Sequence, residues 1–378
     1  MKRIGAFRAD RSMTPDFGKG LPAVAFLLAG IGSVALFSAS WYFSREVSGD
    51  PLWIWRRQLV WTGLGALAGI ALSRVPVRTL KAAVPALVVA AVVLNLLTYV
   101  PGIGSSAGGA RRWIEVFGYS FQPSEVTRLA MVLYLARMLE KNKDRMENLR
   151  DGFLPPFLLV LFLAALVYFQ NDFSTTIYLL AVALGMFFAA GTSWKGMGAV
   201  AAATAAAGGL MLAARPYRVE RLRIWFHPEL DPAGAGYQLL KARGALARGG
   251  LWGQGLGRSA TKLGGLPSAH SDFVAAVMGE EAGLFGIVVI LGLFTLLAAM
   301  GWAAADRAED EFCRWGAFGI TAAVYWQALI NFAVVCGALP ATGIPLPFFS
   351  AAGSSAFVTL AMLGLLVNFA GSGSGGRR

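Results

Sequence analysis

The chain is 378 residues long, 56% hydrophobic and only 14% charged, with 33 lysines and arginines against 21 acids. A soluble domain is about one-quarter charged, so this composition excludes an ordinary water-soluble protein and points to a lipid bilayer. The formal charge of +12 does not signal nucleic-acid binding, because the excess sits on a membrane protein without a soluble basic domain.

Crossing the hydrocarbon takes about 20 mainly apolar residues. Runs of that kind, with flanking arginines able to snorkel, predict ten α-helices near 21–44, 54–74, 80–100, 123–140, 153–169, 173–191, 195–214, 273–299, 316–338 and 350–370. The runs are continuous rather than alternating, which argues against a barrel. The expected fold is an all-α polytopic membrane protein: a tail over 1–20, a membrane domain over 21–370 and a second tail over 371–378. A large loop, 215–272, separates helices seven and eight. Lys2, Arg3, Arg8, Arg11 and Lys19 fall on the same side as Arg137, Lys141, Lys143, Arg145 and Arg150, together with Arg377 and Arg378. Basic short loops mark the cytoplasmic side, so both termini are expected there. The first apolar run is too long for a signal peptide and reads as an uncleaved anchor. Cys313 and Cys336 are separated by about 35 Å along one predicted helix and cannot form a disulfide.

Polar groups concentrate at the outer boundary. The loop 101–122 contains "GARRWIEVFGYSFQPSE", which runs into a helix with Pro123 in its first turn. Glu125 and Arg128, three apart, share a face of that helix and can pair. Asp172 stands at another outer boundary. The loop 215–272 breaks the charge rule, holding Arg215, Arg218, Arg221, Arg223, Lys241, Arg243, Arg248, Arg258 and Lys262 against four acids. Long loops translocate regardless of charge, so the topology stands. Two readings are open for these cations: contact with anionic lipid headgroups, or binding of a phosphorylated substrate. Within the loop, Leu222 to Phe226 suits the membrane surface, Pro228 to Gly236 a turn, and Tyr237 to Ala247 a second helix. "GGLWGQGLG" at 249–257 lacks the strand–helix context of a dinucleotide site and reads as a turn or re-entrant segment.

"LPSAHSDFVAAVMGEEAGLFG", 266–286, follows. Ser271 or Asp272 could cap the eighth helix, and His270 could be an ordinary polar loop residue. Glu280 and Glu281 lie about two turns deeper. Acids there cost roughly 2.5–3.5 kcal/mol at mid-helix, so they are either functional or a buried pair with arginine. Gln327 and Asn331 are four apart on the ninth helix, and the prolines of 339–355 hold a long outer loop open. There is no P-loop, zinc-ligand cluster or Ser-His-Asp order.

Several of these stretches, in order, resemble the SEDS family, the RodA/FtsW group of peptidoglycan glycosyltransferases. They are "GARRWI", "QPSE", "RLRIWFHPELDPAGAGYQ", "GGLWGQGLG", "LPSAHSDF", "GEEAGLFG" and "LPATGIPLPFFSAAGSS". "LGRSATKL" and "FHPELDPAGAGYQLLKA" lean to the division branch, "TGIPLPF" to the elongation branch. The resemblance implies ten helices in the cytoplasmic membrane with cytoplasmic termini. It also implies lipid II as substrate, a class B penicillin-binding protein as partner, and other division or elongation proteins nearby. It makes Asp272 the essential aspartate, Trp113 the functional loop tryptophan and Glu125 the acid of "QPSE". The chain departs from the family pattern at Ser268 (usually glutamate), Arg128 (lysine), Asn171 (proline) and Ala351-Ala352 (tyrosine-glycine).

The chemistry this implies is an inverting transfer, from an α-linked donor to a β-1,4 polymer. It needs a base for the acceptor hydroxyl, for which Asp272 is the candidate, and positive charge beside the departing diphosphate. Arg128, Arg221, Arg243, Lys262 and His270, with Trp113 and Glu125, are the expected substrate contacts. A divalent cation, Mg2+ or Mn2+, held partly by Asp272 would share either task. The rival readings are a lipid flippase, which predicts a polar path across the membrane, and a non-catalytic scaffold.

Overall fold

The computed structural model describes residues 17–372 except 108–109, 117, 147, 193–195, 199–201, 203, 205–207, 210–215 and 235. Helices α1 (Phe17–Ser48), α2 (Trp53–Leu72) and α3 (Val77–Leu97) follow the first three apolar runs. Next come α4 (Pro123–Lys141), α5 (Leu154–Phe169) and α6 (Phe173–Ala189). The seventh predicted helix, 195–214, lies largely outside the described residues. Beyond it are α7 (Pro216–Phe226), α8 (Tyr237–Gly249), α9 (Val274–Arg307), α10 (Glu311–Val335) and α11 (Gly353–Gly371). Among the described residues, six helices are long and apolar enough to cross a membrane, and α6 is a shorter apolar one.

Helix α4 is the centre of the bundle. Pro123 occupies its first turn, where the missing N–H costs nothing. Its buried residues, from Ser124 through Leu139, lie on all its faces, as expected of a helix enclosed by others. It packs against α3, α5, α6, α10 and α11. Small residues let α2 and α11 approach closely: a Cβ on Gly69 would meet the carbonyl of Leu360, and one on Gly364 the carbonyl of Gly69. The Asn368 amide then caps the end of α2, donating to the Leu72 and Val75 carbonyls at 2.8 and 2.7 Å. At the end of the bundle away from the long loops, Lys81 pairs with both Glu140 and Asp310, joining α3, α4 and α10.

The loop 101–122 is not irregular. It forms a three-stranded antiparallel sheet, β1 (Gly104–Ala107), β2 (Ala110–Val116) and β3 (Tyr119–Phe121). Ile114 pairs with Phe121 and Val116 with Tyr119. In β2, Ala110 and Ile114 are buried whereas Arg111 and Glu115 are exposed. This period-two alternation assigns Arg112 to the inward face.

Helix α9 is longer than predicted and is broken at Gly283, where φ is +67° and ψ −170°. A broken helix in a bilayer leaves backbone groups that must find partners. The segment after α8 supplies them. Gln254 and Gly255 donate to the carbonyls of Glu280 and Glu281 at 2.9 and 3.0 Å, and Leu284 and Phe285 donate to Gly250 and Leu251 at 2.9 and 3.1 Å. The glycine-rich stretch 249–257 is thus a plug fitted into the break.

Candidate active site

At the end of the bundle that carries the sheet, four segments converge on Asp272. Its backbone is pinned from both sides. Asn331 donates to the Asp272 carbonyl at 2.9 Å and to the Ile344 carbonyl at 2.8 Å. Ser350 donates to the Ser271 carbonyl at 2.5 Å, and the Ala351 amide to the His270 carbonyl at 2.8 Å. Gln327, one turn before Asn331, donates to the Pro345 carbonyl at 2.9 Å. The polar pair of α10 therefore fixes the proline-rich loop, and that loop fixes the turn bearing Asp272.

The Asp272 side chain takes no part in this scaffolding. The N-cap of α9 is Phe273, and no side chain caps that helix. The cap reading of Ser271 or Asp272 is therefore corrected: the turn is held through main-chain carbonyls instead. The residue is half-buried, with its Oδ2 facing Gly343. Burial pushes its proton affinity above the ordinary carboxylate range, the charge of Arg112 and the Ser271 hydroxyl oppose this, and Asp172 adds to it.

Asp172, whose charge acts on Asp272, is the second carboxylate at this end, and both its oxygens are engaged. One oxygen caps α6 by accepting from the Thr175 amide at 3.2 Å. The other accepts from Gln122 at 3.1 Å and lies 3.3 Å from Arg112 Nη1. Asp172 is placed there by a helix stop just before it. Asn171, with φ +63°, closes α5 in the left-handed conformation, and the Asp172 amide returns to the Val167 carbonyl at 3.4 Å. Proline cannot adopt that φ, so asparagine at 171 answers a local backbone requirement.

The expected substrate contacts do not form one cluster. Trp113 is half-buried on β2, in the register opposite to Arg112. Glu125 and Arg128 pair at 2.8 Å, as their spacing predicts. Arg128 is buried inside the bundle, donating to Gln327 and, at 3.0 Å, to Thr359. Lys262 is sequestered: its ammonium contacts Glu281 at 2.6 Å and donates to Ser38 at 2.8 Å, with 2% of the side chain exposed. Arg221 and Arg243 are exposed on α7 and α8, and Arg243 leans on the Gly337 carbonyl at 3.4 Å. The His270 ring stacks on Phe43 with centroids 4.5 Å apart. Burial pulls its pKa down to about 4, so near neutral pH it carries no charge to offer an anion.

Glu280 is paired with an arginine, as one of the two readings expects, whereas the partner of Glu281 is a lysine. Glu280 accepts from Arg248 at 2.7 Å, Ser259 at 2.5 Å and the Thr261 amide at 3.2 Å. Glu281 holds Lys262 and Ser38. The two acids thus anchor the long loop to α9. Cys313 and Cys336 are both free thiols. No group of three or more metal-ligating side chains occurs among the described residues. Separately, α1, α2 and α11 line a partly open apolar pocket of about 590 Å³, bordered among others by Phe26, Leu59, Ile70 and Leu363.

Sequence reasoning missed Arg112. The signal was present in "ARRWIEV", where alternation places one of two adjacent arginines inward, but it required recognising a strand inside a chain of helices.

Comparison with known proteins gives the family. The model of the FtsW, RodA and SpoVE family, described as cell cycle protein, matches residues 19–374. The probable peptidoglycan glycosyltransferase FtsW of Geobacter sp. (strain M18) is 39% identical over 91% of this chain and 94% of its own. The protein of the same name from Trichlorobacter lovleyi is 36% identical over 90% of each chain. A chain from a solved structure on the structural coordination of polymerization and crosslinking by a peptidoglycan synthase complex superposes with a TM-score of 0.78. It is 29% identical, over 94% of this chain and 98% of that one. The rod shape determining protein RodA of Thermus thermophilus gives a TM-score of 0.67 at 26% identity, over 94% and 97%. The chain belongs to the FtsW/RodA/SpoVE family of cell cycle proteins.

Proposed function

We propose that this chain is a peptidoglycan glycosyltransferase of the division type, joining lipid II units into β-1,4 glycan on the outer face of the cytoplasmic membrane. The observation that carries the reading is the contrast between Asp172 and Asp272. Asp172 is engaged by a helix cap, a glutamine and an arginine, whereas the Asp272 side chain caps no helix and meets the Ser271 hydroxyl of its own turn. A carboxylate pinned through its backbone, half-buried and raised in proton affinity, is suited to act as a general base.

In the transfer, Asp272 takes the proton of the acceptor sugar's 4-hydroxyl. The oxygen attacks the anomeric carbon of the donor from the face opposite the diphosphate, and the C–O bond to that diphosphate breaks with its electron pair. Configuration inverts, and polyprenyl diphosphate leaves. Positive charge near the departing oxygens favours the step. Mg2+ or Mn2+ suits such a site when one or two carboxylates are joined by substrate phosphates; Asp272 would be the ligand from this chain. The apolar pocket between α1, α2 and α11 is a lateral berth for part of a lipid tail. A class B penicillin-binding protein is the fitting partner, with both chain termini in the cytoplasm.

Asp272→Asn tests the assignment. Its backbone contacts to Asn331 remain available, so the fold should persist. With purified protein, labelled lipid II and the transpeptidase partner present, glycan synthesis should fall at least about 100-fold. Near-normal glycan ladders from the folded variant would sink the base assignment. Lipid scrambling without ladders by the unsubstituted protein would make it a transporter instead.

A further inference from the structure

The pocket between α1, α2 and α11 has its open side toward the hydrocarbon, since Phe26, Leu59 and Ile70 on its border are exposed on membrane-spanning helices. Small residues make the groove. Gly30 on α1 and Gly63 on α2 both border it, and a Cβ on either would meet nothing within 4 Å. Apolar walls alone would accept any hydrocarbon chain and specify nothing about it.

Gln58 specifies more. It borders the pocket, is only 7% exposed, and its Nε2 is buried without a hydrogen-bond partner. Polar neighbours along the pocket are engaged elsewhere. The Trp55 indole donates to the Ser33 hydroxyl at 3.0 Å and carbonyl at 3.2 Å, and the Ser73 hydroxyl to the Ile70 carbonyl at 2.8 Å. An amide donor left unmatched inside a bilayer is costly, because no water is there to accept from it. Leucine would line the same wall without that cost, so the amide requires an acceptor from outside the chain. Its terminal torsion is soft, which lets it present an N–H to the pocket.

The depth of Gln58 identifies that acceptor. It lies five residues after Trp53, about 7.5 Å along the axis of α2. This end of the helix touches the sheet: Arg57 donates to the Gly118 carbonyl, and the Trp61 ring meets Tyr119 edge-on. Tryptophan and arginine together mark a membrane boundary, and the headgroup layer there is about 5–7 Å deep. Gln58 therefore falls where headgroups give way to hydrocarbon, the level of the ester linkages of a glycerolipid. A polyprenyl chain is hydrocarbon throughout below its diphosphate and offers no acceptor at that depth.

We propose that this pocket binds a glycerophospholipid from the leaflet on the sheet side, with one acyl chain in the groove and the ester carbonyl of that chain accepting a hydrogen bond from Gln58. The site is additional to the glycosyltransferase reading and does not depend on it. Phe348 borders the pocket two residues before Ser350, which donates to the Ser271 carbonyl. The bound chain thus packs against the loop that holds the Asp272 turn.

The test is native mass spectrometry of the full chain in detergent, titrated with dioleoyl phosphatidylglycerol or with its diether analogue, which has the same chains and headgroup but no carbonyl. The first diester bound should hold about fivefold tighter than the diether, the effect of one hydrogen bond. Gln58→Leu should erase that preference. Gly63→Leu, which fills the open groove, should weaken both lipids together at unchanged thermal stability. The comparison of the two lipids on the unsubstituted protein needs no variant to fold. Equal binding of diester and diether there overturns the proposal, as does a preference that survives in Gln58→Leu or diester binding that survives in Gly63→Leu. Undecaprenyl phosphate that binds more tightly than the diester and is lost in Gly63→Leu would assign the pocket to a polyprenyl tail, and overturns it equally.

Discussion

Lys262 was expected to bind the substrate diphosphate, and the structure places it in a buried ion pair instead. Substituting it separates the two roles. Lys262→Met keeps the length of the side chain and removes its charge. Glu281, itself 4% exposed, then loses its closest cation at 2.6 Å. It retains only the Ser38 hydroxyl, at 2.7 and 2.9 Å, and the Ser259 amide at 3.4 Å. Removing one partner of a buried pair leaves an uncompensated charge and costs about 3–5 kcal/mol. Adding Glu281→Gln removes the stranded charge while keeping an acceptor for Ser38, so the double variant should recover most of that loss. The coupling between the two sites is then far from additive. Thermal unfolding in detergent, followed by loss of the monodisperse chromatographic peak, measures it. A single variant as stable as the unsubstituted protein, or two losses that simply add, would refute the reasoning. Weakened lipid II binding at unchanged stability would return Lys262 to the substrate.

Two more consequences follow from the fold. Gly283→Ala forces a side chain into a conformation essentially reserved for glycine and drives its Cβ into the Gly253 amide and the Leu251 carbonyl. It should cost more than about 3 kcal/mol and release the 250–255 plug, visible as faster proteolysis there; ordinary stability would mean the break in α9 is incidental. Reporter fusions at residue 145 should read cytoplasmic and fusions near residue 230 external, and a cytoplasmic signal at the second position would remove the site from the side where glycan is made.

The sequence by itself determined what depends on composition, periodicity and short spacing. Long apolar runs dictate helices in a bilayer, because only intrahelical bonds satisfy the backbone there. The three-residue spacing of Glu125 and Arg128 brings them together on one turn, and Pro123 marks the start of their helix. Asp272 stood out as an acid at the mouth of an apolar run. Partner choice across the chain was decided only by tertiary structure. The loop arginines and lysines look alike in sequence, yet Arg248 and Lys262 belong to Glu280 and Glu281, while Arg243 stays exposed. Arg112 looks like its neighbour Arg111 until strand pairing turns one inward and the start of α6 brings Asp172 to meet it. The break in α9 is likewise invisible along the chain, since Gly283 tolerates it only because a segment some thirty residues earlier supplies the missing hydrogen bonds. Pairings over such separations are set by how the helices stack, and a charge reveals its role only through the groups that packing places beside it.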